Sequence, residues 1–230
     1  MILKYVKKIV KSMFYKVPAS YVLMFHHIDD GNLIVKSGCV LDLCKFTDIL
    51  DSGLSFVSVG EYLTFSHSTK NKCTITFDDG LKDVYRVAYP ELKKRGIPFT
   101  IFVIVNFLDM EGYISTPDLL EMAQDPLVTI GSHGLTHEVL NGMSYERQNA
   151  ELVDSKERLE QLIDKNVTLF AYSHGQYDKT TRALLKHTRC YDYAFGVCGY
   201  PTNFITKHWK YHLPRINMEN NSRNHFDLAR

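Results

Sequence analysis

The chain has 230 residues, 45% of them hydrophobic and 23% charged, with a formal net charge of +1 at pH 7. This balance fits one ordinary soluble domain and supplies no global attraction to nucleic acid. The five cysteines (Cys39, Cys44, Cys73, Cys190 and Cys198) are odd in number, widely spaced and without a CxxC pair, which argues against a disulfide framework or a zinc ribbon and fits a reducing compartment.

Residues 1–19 form a basic N-terminal segment. Lys4, Lys7, Lys8, Lys11 and Lys16 interrupt every apolar run, leaving neither a signal-peptide core nor a membrane span. A cytoplasmic protein is therefore expected. Wound as a helix, Leu3, Val6, Val10, Met13 and Val17 share a face. Two readings stand: residues 1–17 lie peripherally on an anionic membrane, or they pack on the domain's own surface.

From Tyr21 the pattern becomes strand and helix in alternation. Tyr21 to Phe25 is a short apolar strand ending in His26-His27. Residues 42–65 mix helical and extended patterns, and His67 follows in a polar loop. Cys73 to Phe77 is β-rich and delivers Asp78-Asp79-Gly80. Pro90 and Gly96 bracket a helix. Ile97 to Val105 reads as a strand buried on both faces. A helix starts at Thr116-Pro117. The strand Leu127 to Ile130 runs into Gly131-Ser132-His133-Gly134-Leu135-Thr136-His137. Ser144 caps a long helix that turns Leu152, Leu159 and Ile163 inward. Val167 to Ala171 is a strand ending in Tyr172-Ser173-His174-Gly175; Asp178 to His187 is helical, Tyr193 to Val197 extended, and Tyr211 to Met218 the last strand. The domain is expected to span 20–218, with a frayed polar tail over 219–230.

Alternating strands and helices predict a parallel α/β architecture. His26, Asp78 and Asp79, His133 and His137, and His174 all fall just after strands, the edge where α/β barrels place their chemistry. His133 and His137, four apart, can face one point. With one carboxylate they make a three-ligand site with an open position, which is the catalytic rather than the structural pattern.

Thr76-Phe77-Asp78-Asp79-Gly80 and Ser132-His133-Gly134-Leu135-Thr136-His137 resemble the first two motifs of the polysaccharide deacetylase family (NodB-type, carbohydrate esterase family 4). Phe25-His26 with Ile28 resembles the N-terminal strand of its biosynthetic branch. Gly96 to Phe102 resembles the strand after the Asp-Asp helix. Phe170 to Gly175 and Leu213 to Ile216 stand where the third and last motifs belong. The resemblance implies a distorted (β/α)7 barrel and a divalent metal, in first place Zn2+, held by Asp79, His133 and His137. It also implies Asp78 as general base, an oxyanion held by the metal and a backbone N–H near His174, and an N-acylated amino sugar (nucleotide-, lipid- or polymer-linked) as substrate.

Four positions depart from the family pattern. Ala171 replaces the arginine that orients the base, Ser173 and His174 replace the proline and aromatic, and Arg215 stands where a histidine is usual. The general acid stays open among His26, His174 and His212. Arg215 is expected either to pair with a core carboxylate such as Asp78, replacing the missing arginine, or to serve only the core. The leading reading is metal-dependent N-deacetylation in intracellular glycan biosynthesis. The alternatives are a deformylase or cyclic-amide hydrolase, a metal-dependent glycosyltransferase, and a non-catalytic carbohydrate-binding descendant.

Overall fold

The structure, a computed structural model, describes residues 21–33, 39–64, 72–197 and 210–219. The basic segment 1–19, His67, Cys198 and the tail beyond Glu219 lie outside them. Among the described residues no helix is long and apolar enough to cross a membrane.

In chain order the strands are β1 (Tyr21–Phe25), β2 (His27–Asp29), β3 (Val40–Asp42), β4 (Ser55–Phe56), β5 (Lys72–Phe77), β6 (Phe99–Val103), β7 (Val128–Ser132), β8 (Leu169–Ala171), β9 (Tyr193–Phe195) and β10 (Ile216–Asn217). The helices are α1 (Leu43–Leu50), α2 (Val59–Thr64), α3 (Tyr89–Arg95), α4 (Thr116–Gln124), α5 (Tyr145–Asn149), α6 (Ser155–Ile163) and α7 (Lys179–Thr188). Seven strands run parallel in the order β10-β1-β5-β6-β7-β8-β9, with β4 added beside β5. Ile216 pairs with Leu23 of β1, while Leu213 bridges to Phe195 of β9. One short segment thus joins the last strand back to the first. This is the parallel, helix-covered barrel of the expected deacetylase fold.

Side-chain alternation divides each strand between two buried layers. On the helix side, Phe25, Phe46, Phe77 and Phe99 form a chain of rings with centroids 5.4 to 5.9 Å apart. The inner layer is smaller: Val22, Phe102, Leu169, Ala171, Phe195 and Leu213 pack together. Thr74, Thr76, Thr100 and Arg215 are also buried. Gly131 lies opposite Phe102 in the register; a Cβ there would sit 2.5 Å from the Phe102 ring, so any side chain would displace the ring.

Pro90 stands in the first turn of α3 and Gly96 ends it, as expected, and a wide π turn, Val84–Ala88, runs directly into that helix. Proline has no N–H to close an ordinary helical bond, and a widened turn accommodates that loss. Two expectations change. The last strand shrinks to Ile216–Asn217. Glu219, expected at the start of a frayed tail, is part of the domain. Met218 N donates to Met24 O at 3.0 Å, and the Glu219 carboxylate lies 2.9 Å from His26. The chain is held there because β10 lies alongside β1.

Candidate metal centre

Thr74, Thr76 and Asp78 lie at alternate positions of one run, so Asp78 continues inward from β5. Alternation alone would send Asp79 the other way. Its backbone instead takes a left-handed φ of 72°, as does Gly80, and this reversal brings both carboxylates to one place. His133 follows β7 on the Gly131 side of the alternation. His137 also has a positive φ, 63°, which turns it back toward His133; their rings are 5.1 Å apart.

Asp79 Oδ1 lies 3.4 Å from His133 Nε2 and 3.3 Å from His137 Nε2. This oxygen is buried and accepts no hydrogen bond among the described residues. An orphaned buried carboxylate oxygen is costly unless a positive charge satisfies it. His133 Nδ1 lies 2.7 Å from Ala171 O. A carbonyl only accepts, so Nδ1 carries the proton and Nε2 offers its lone pair to the site, the arrangement metal-bound histidines commonly show. One ligand atom from each of Asp79, His133 and His137 lies within 4.8 Å of the others. The three expected ligands therefore converge and fit a divalent cation.

Electrostatics point the same way. Burial opposes the Asp79 charge, but His133, His26 and His137 outweigh it and hold its pKa well below the usual carboxylate range. Burial, then the charge of His133, pushes His137 down to about 4, so it is neutral at physiological pH. Burial opposes the His133 imidazolium as well, yet Asp78 and then Asp79 raise its pKa. The two acids create a demand for positive charge at this point, which a cation meets.

Asp78 is only 2% exposed. The Arg215 guanidinium grips both its oxygens, Nη1 to Oδ1 at 2.6 Å and Nη2 to Oδ2 at 2.7 Å. Arg215 itself is fully buried, donates from Nε to Gly196 O at 3.1 Å and stands 5.3 Å over the Phe102 ring. Burial would raise the Asp78 pKa, but Arg215 and then His133 lower it. The arginine absent at Ala171 is thus supplied from the far end of the chain.

The three histidines left open as acids are placed differently. His26 Nδ1 lies against Glu219 Oε1 at 2.9 Å, and Asp78 and Asp79 act on it electrostatically. Burial disfavours its charged form, but Glu219, then Asp78 and Asp79, hold its pKa above the ordinary histidine value. His174 is exposed in a left-handed turn, its ring 4.6 Å from His137. His212 rests 5.3 Å from Tyr177 and its pKa is lowered by burial and by Arg182.

Sequence reasoning missed two residues. Glu219 was assigned to the tail. Glu151 accepts from Leu135 N at 2.6 Å, Thr136 N at 3.2 Å and Thr136 Oγ1, bracing the loop between His133 and His137. It stands in a π turn, Ala150–Asp154, between α5 and α6. A Cβ on Gly134 would lie 2.5 Å from its Oε2, so that glycine gives the carboxylate room. The signal was a buried polar stripe, Gln148, Glu151 and Ser155, whose helical spacing reads equally well as a solvated face.

The model of the family "Polysaccharide deacetylase" matches residues 66–191. A protein of Bacillus subtilis (strain 168), YxkH, provisionally named a polysaccharide deacetylase, is 31% identical over 199 residues, 85% of this chain and 70% of that one. The crystal structure of the Bacillus cereus polysaccharide deacetylase BC0361 superposes with a TM-score of 0.75 at 23% identity, covering 92% of this chain and 68% of that one. IcaB from Ammonifex degensii gives a TM-score of 0.76 at 24% identity, covering 90% and 94%. The two structures share the fold, and the matched residues include both the Asp78-Asp79 pair and the His133–His137 loop: this chain belongs to the polysaccharide deacetylase family.

Proposed function

We propose that the protein is a divalent-cation-dependent N-deacetylase of an amino sugar in a glycan or glycan precursor. The reading rests above all on one arrangement: a buried, unsatisfied Asp79 oxygen between two imidazoles, beside an Asp78 that Arg215 keeps ionised. Asp79, His133 and His137 would hold the cation, with Zn2+ in first place for an imidazole and carboxylate set. A bound cation supplies Lewis acidity toward water and the acyl carbonyl.

The chain's own groups do the rest. Asp78 takes the proton from the attacking water, whose oxygen adds to the acyl carbon. Arg215 fixes the orientation of that base. His26, held by Glu219, gives a proton to the departing nitrogen, so the C–N bond breaks to carboxylate and free amine. A backbone N–H near His174, in the turn Ser173–Gly175, would serve a developing oxyanion. The bidentate Arg215 also answers the main ground for a non-catalytic reading, since Ala171 no longer leaves the base unsupported.

The test is release of carboxylate from a panel of nucleotide-, lipid- and polymer-linked N-acetyl and N-formyl amino sugars, with and without chelator. Acetate release that stops on chelation and returns with metal supports the proposal. Sugar binding without turnover on any substrate would overturn it, and formate in place of acetate would move the acyl specificity. A lipid-linked substrate would accord with membrane contact by residues 1–17, a proposal checked by vesicle co-sedimentation of the full chain against one lacking them.

A further inference from the structure

A second cluster of metal-binding side chains lies beside the first. One ligand atom from each of His26, Cys39 and Glu219 lies within 4.8 Å of the other two. They come from three separate places: the junction of β1 and β2, the residue before β3, and the end of β10. Hydrogen bonds from the backbone N–H groups hold them together. His27 N donates to Cys39 O at 3.1 Å, Met218 N to Met24 O at 3.0 Å, and Glu219 N to Asn217 Oδ1 at 3.2 Å. All three residues are partly accessible, so an ion can enter. Asp78 and Asp79 add negative potential to both His26 and Cys39.

We propose that His26, Cys39 and Glu219 form a second cation site, selective for one thiophilic divalent ion such as Zn2+ or Cd2+. A thiolate, an imidazole and a carboxylate suit these ions and disfavour Mg2+ and Ca2+, which prefer all-oxygen shells. Binding forms a sulfur–metal bond while the Cys39 thiol proton passes to solvent, with no change of oxidation state. An imidazole that holds a cation cannot also carry the extra proton, so occupancy of this site inhibits turnover. That last consequence rests on His26 as proton donor; the binding site itself does not.

Sulfur separates the two sites experimentally, because Asp79, His133 and His137 carry none. The full chain is titrated with Cd2+ while the ultraviolet thiolate-to-cadmium absorption and bound stoichiometry are followed. Two equivalents are expected, with one generating the absorption band. Cys39→Ser should lose the band and bind a single equivalent, whereas Asp79→Ala should keep the band and also bind one. A band that survives in Cys39→Ser, or a wild-type protein that binds only one equivalent, overturns the site. If two equivalents bind as expected but the sulfur-linked one leaves turnover unchanged, the site stands and His26 falls as proton donor.

Discussion

Arg215 and Asp78 are 137 positions apart, yet two parallel hydrogen bonds join them inside the barrel, both partners almost wholly buried. Removing one partner of a buried ion pair leaves the other charge stranded, at about 3–5 kcal/mol. Arg215→Met should therefore lower stability by roughly that amount in denaturant unfolding. Arg215→Lys keeps the charge but loses the fork. It should fold, keep metal, lose kcat, and move the acidic limb of the rate profile to higher pH. The sign follows from Asp78: its pKa is lowered in the folded protein, the active carboxylate is lost as pH falls through that value, and a weaker partner raises it.

The two adjacent acids are expected to separate by assay. Asp79→Ala or His133→Ala should lose the one equivalent of metal expected between Asp79, His133 and His137, and activity with it. Asp78→Asn should retain metal and lose rate by about 100-fold or more, the scale of a general base. Metal content by elemental analysis, set beside carboxylate release, distinguishes them. Full activity in Asp78→Asn would falsify its role as base.

Glu151 supports a test away from the ligands themselves. Glu151→Gln keeps the shape of the side chain but weakens its bonds to Leu135 N, Thr136 N and Thr136 Oγ1. Metal affinity should fall by about 10–100-fold, the usual effect of loosening a group that orients ligands. Global unfolding should move far less, and competition with a chromophoric chelator would read the affinity directly.

His26 and Glu219 are expected to set the alkaline side of the rate profile. A proton donor is active below its pKa and lost as pH rises through it. Burial lowers the His26 pKa, but Glu219 first and the two aspartates next raise it above the ordinary value. Glu219→Gln should move the alkaline limb of kcat/KM to lower pH while leaving the acidic limb in place. His174→Ala should leave the alkaline limb where it is; a shift there would transfer the donor role to His174.

Much of the centre was legible because it is local. Asp78-Asp79-Gly80 and His133 to His137 are short stretches at strand ends, and spacing alone brings each to the same rim. Alternation explains why Asp78 faces inward, while the reversal at Asp79 needed a left-handed backbone that residue type does not announce. The parallel α/β architecture, too, could be read from apolar runs interleaved with helical periods, whereas the barrel came from the family resemblance.

Other parts depended on where distant segments pack. Whether Arg215 served the base or only the core was undecided until Leu213 met β9 and Ile216 met β1, since that double pairing carries the guanidinium inward. The same pairing brings Glu219 to His26, and packing of the wide turn at Glu151 brings its carboxylate to the histidine loop. The sequence by itself determined the parallel α/β fold class and set Asp78, Asp79, His133 and His137 at strand ends, both of which follow from periodicity and short spacing, while the ligand and base roles proposed for them come from the family resemblance. Tertiary structure alone decided which groups orient them, because those contacts arise only when the barrel closes and distant charges must find partners away from water.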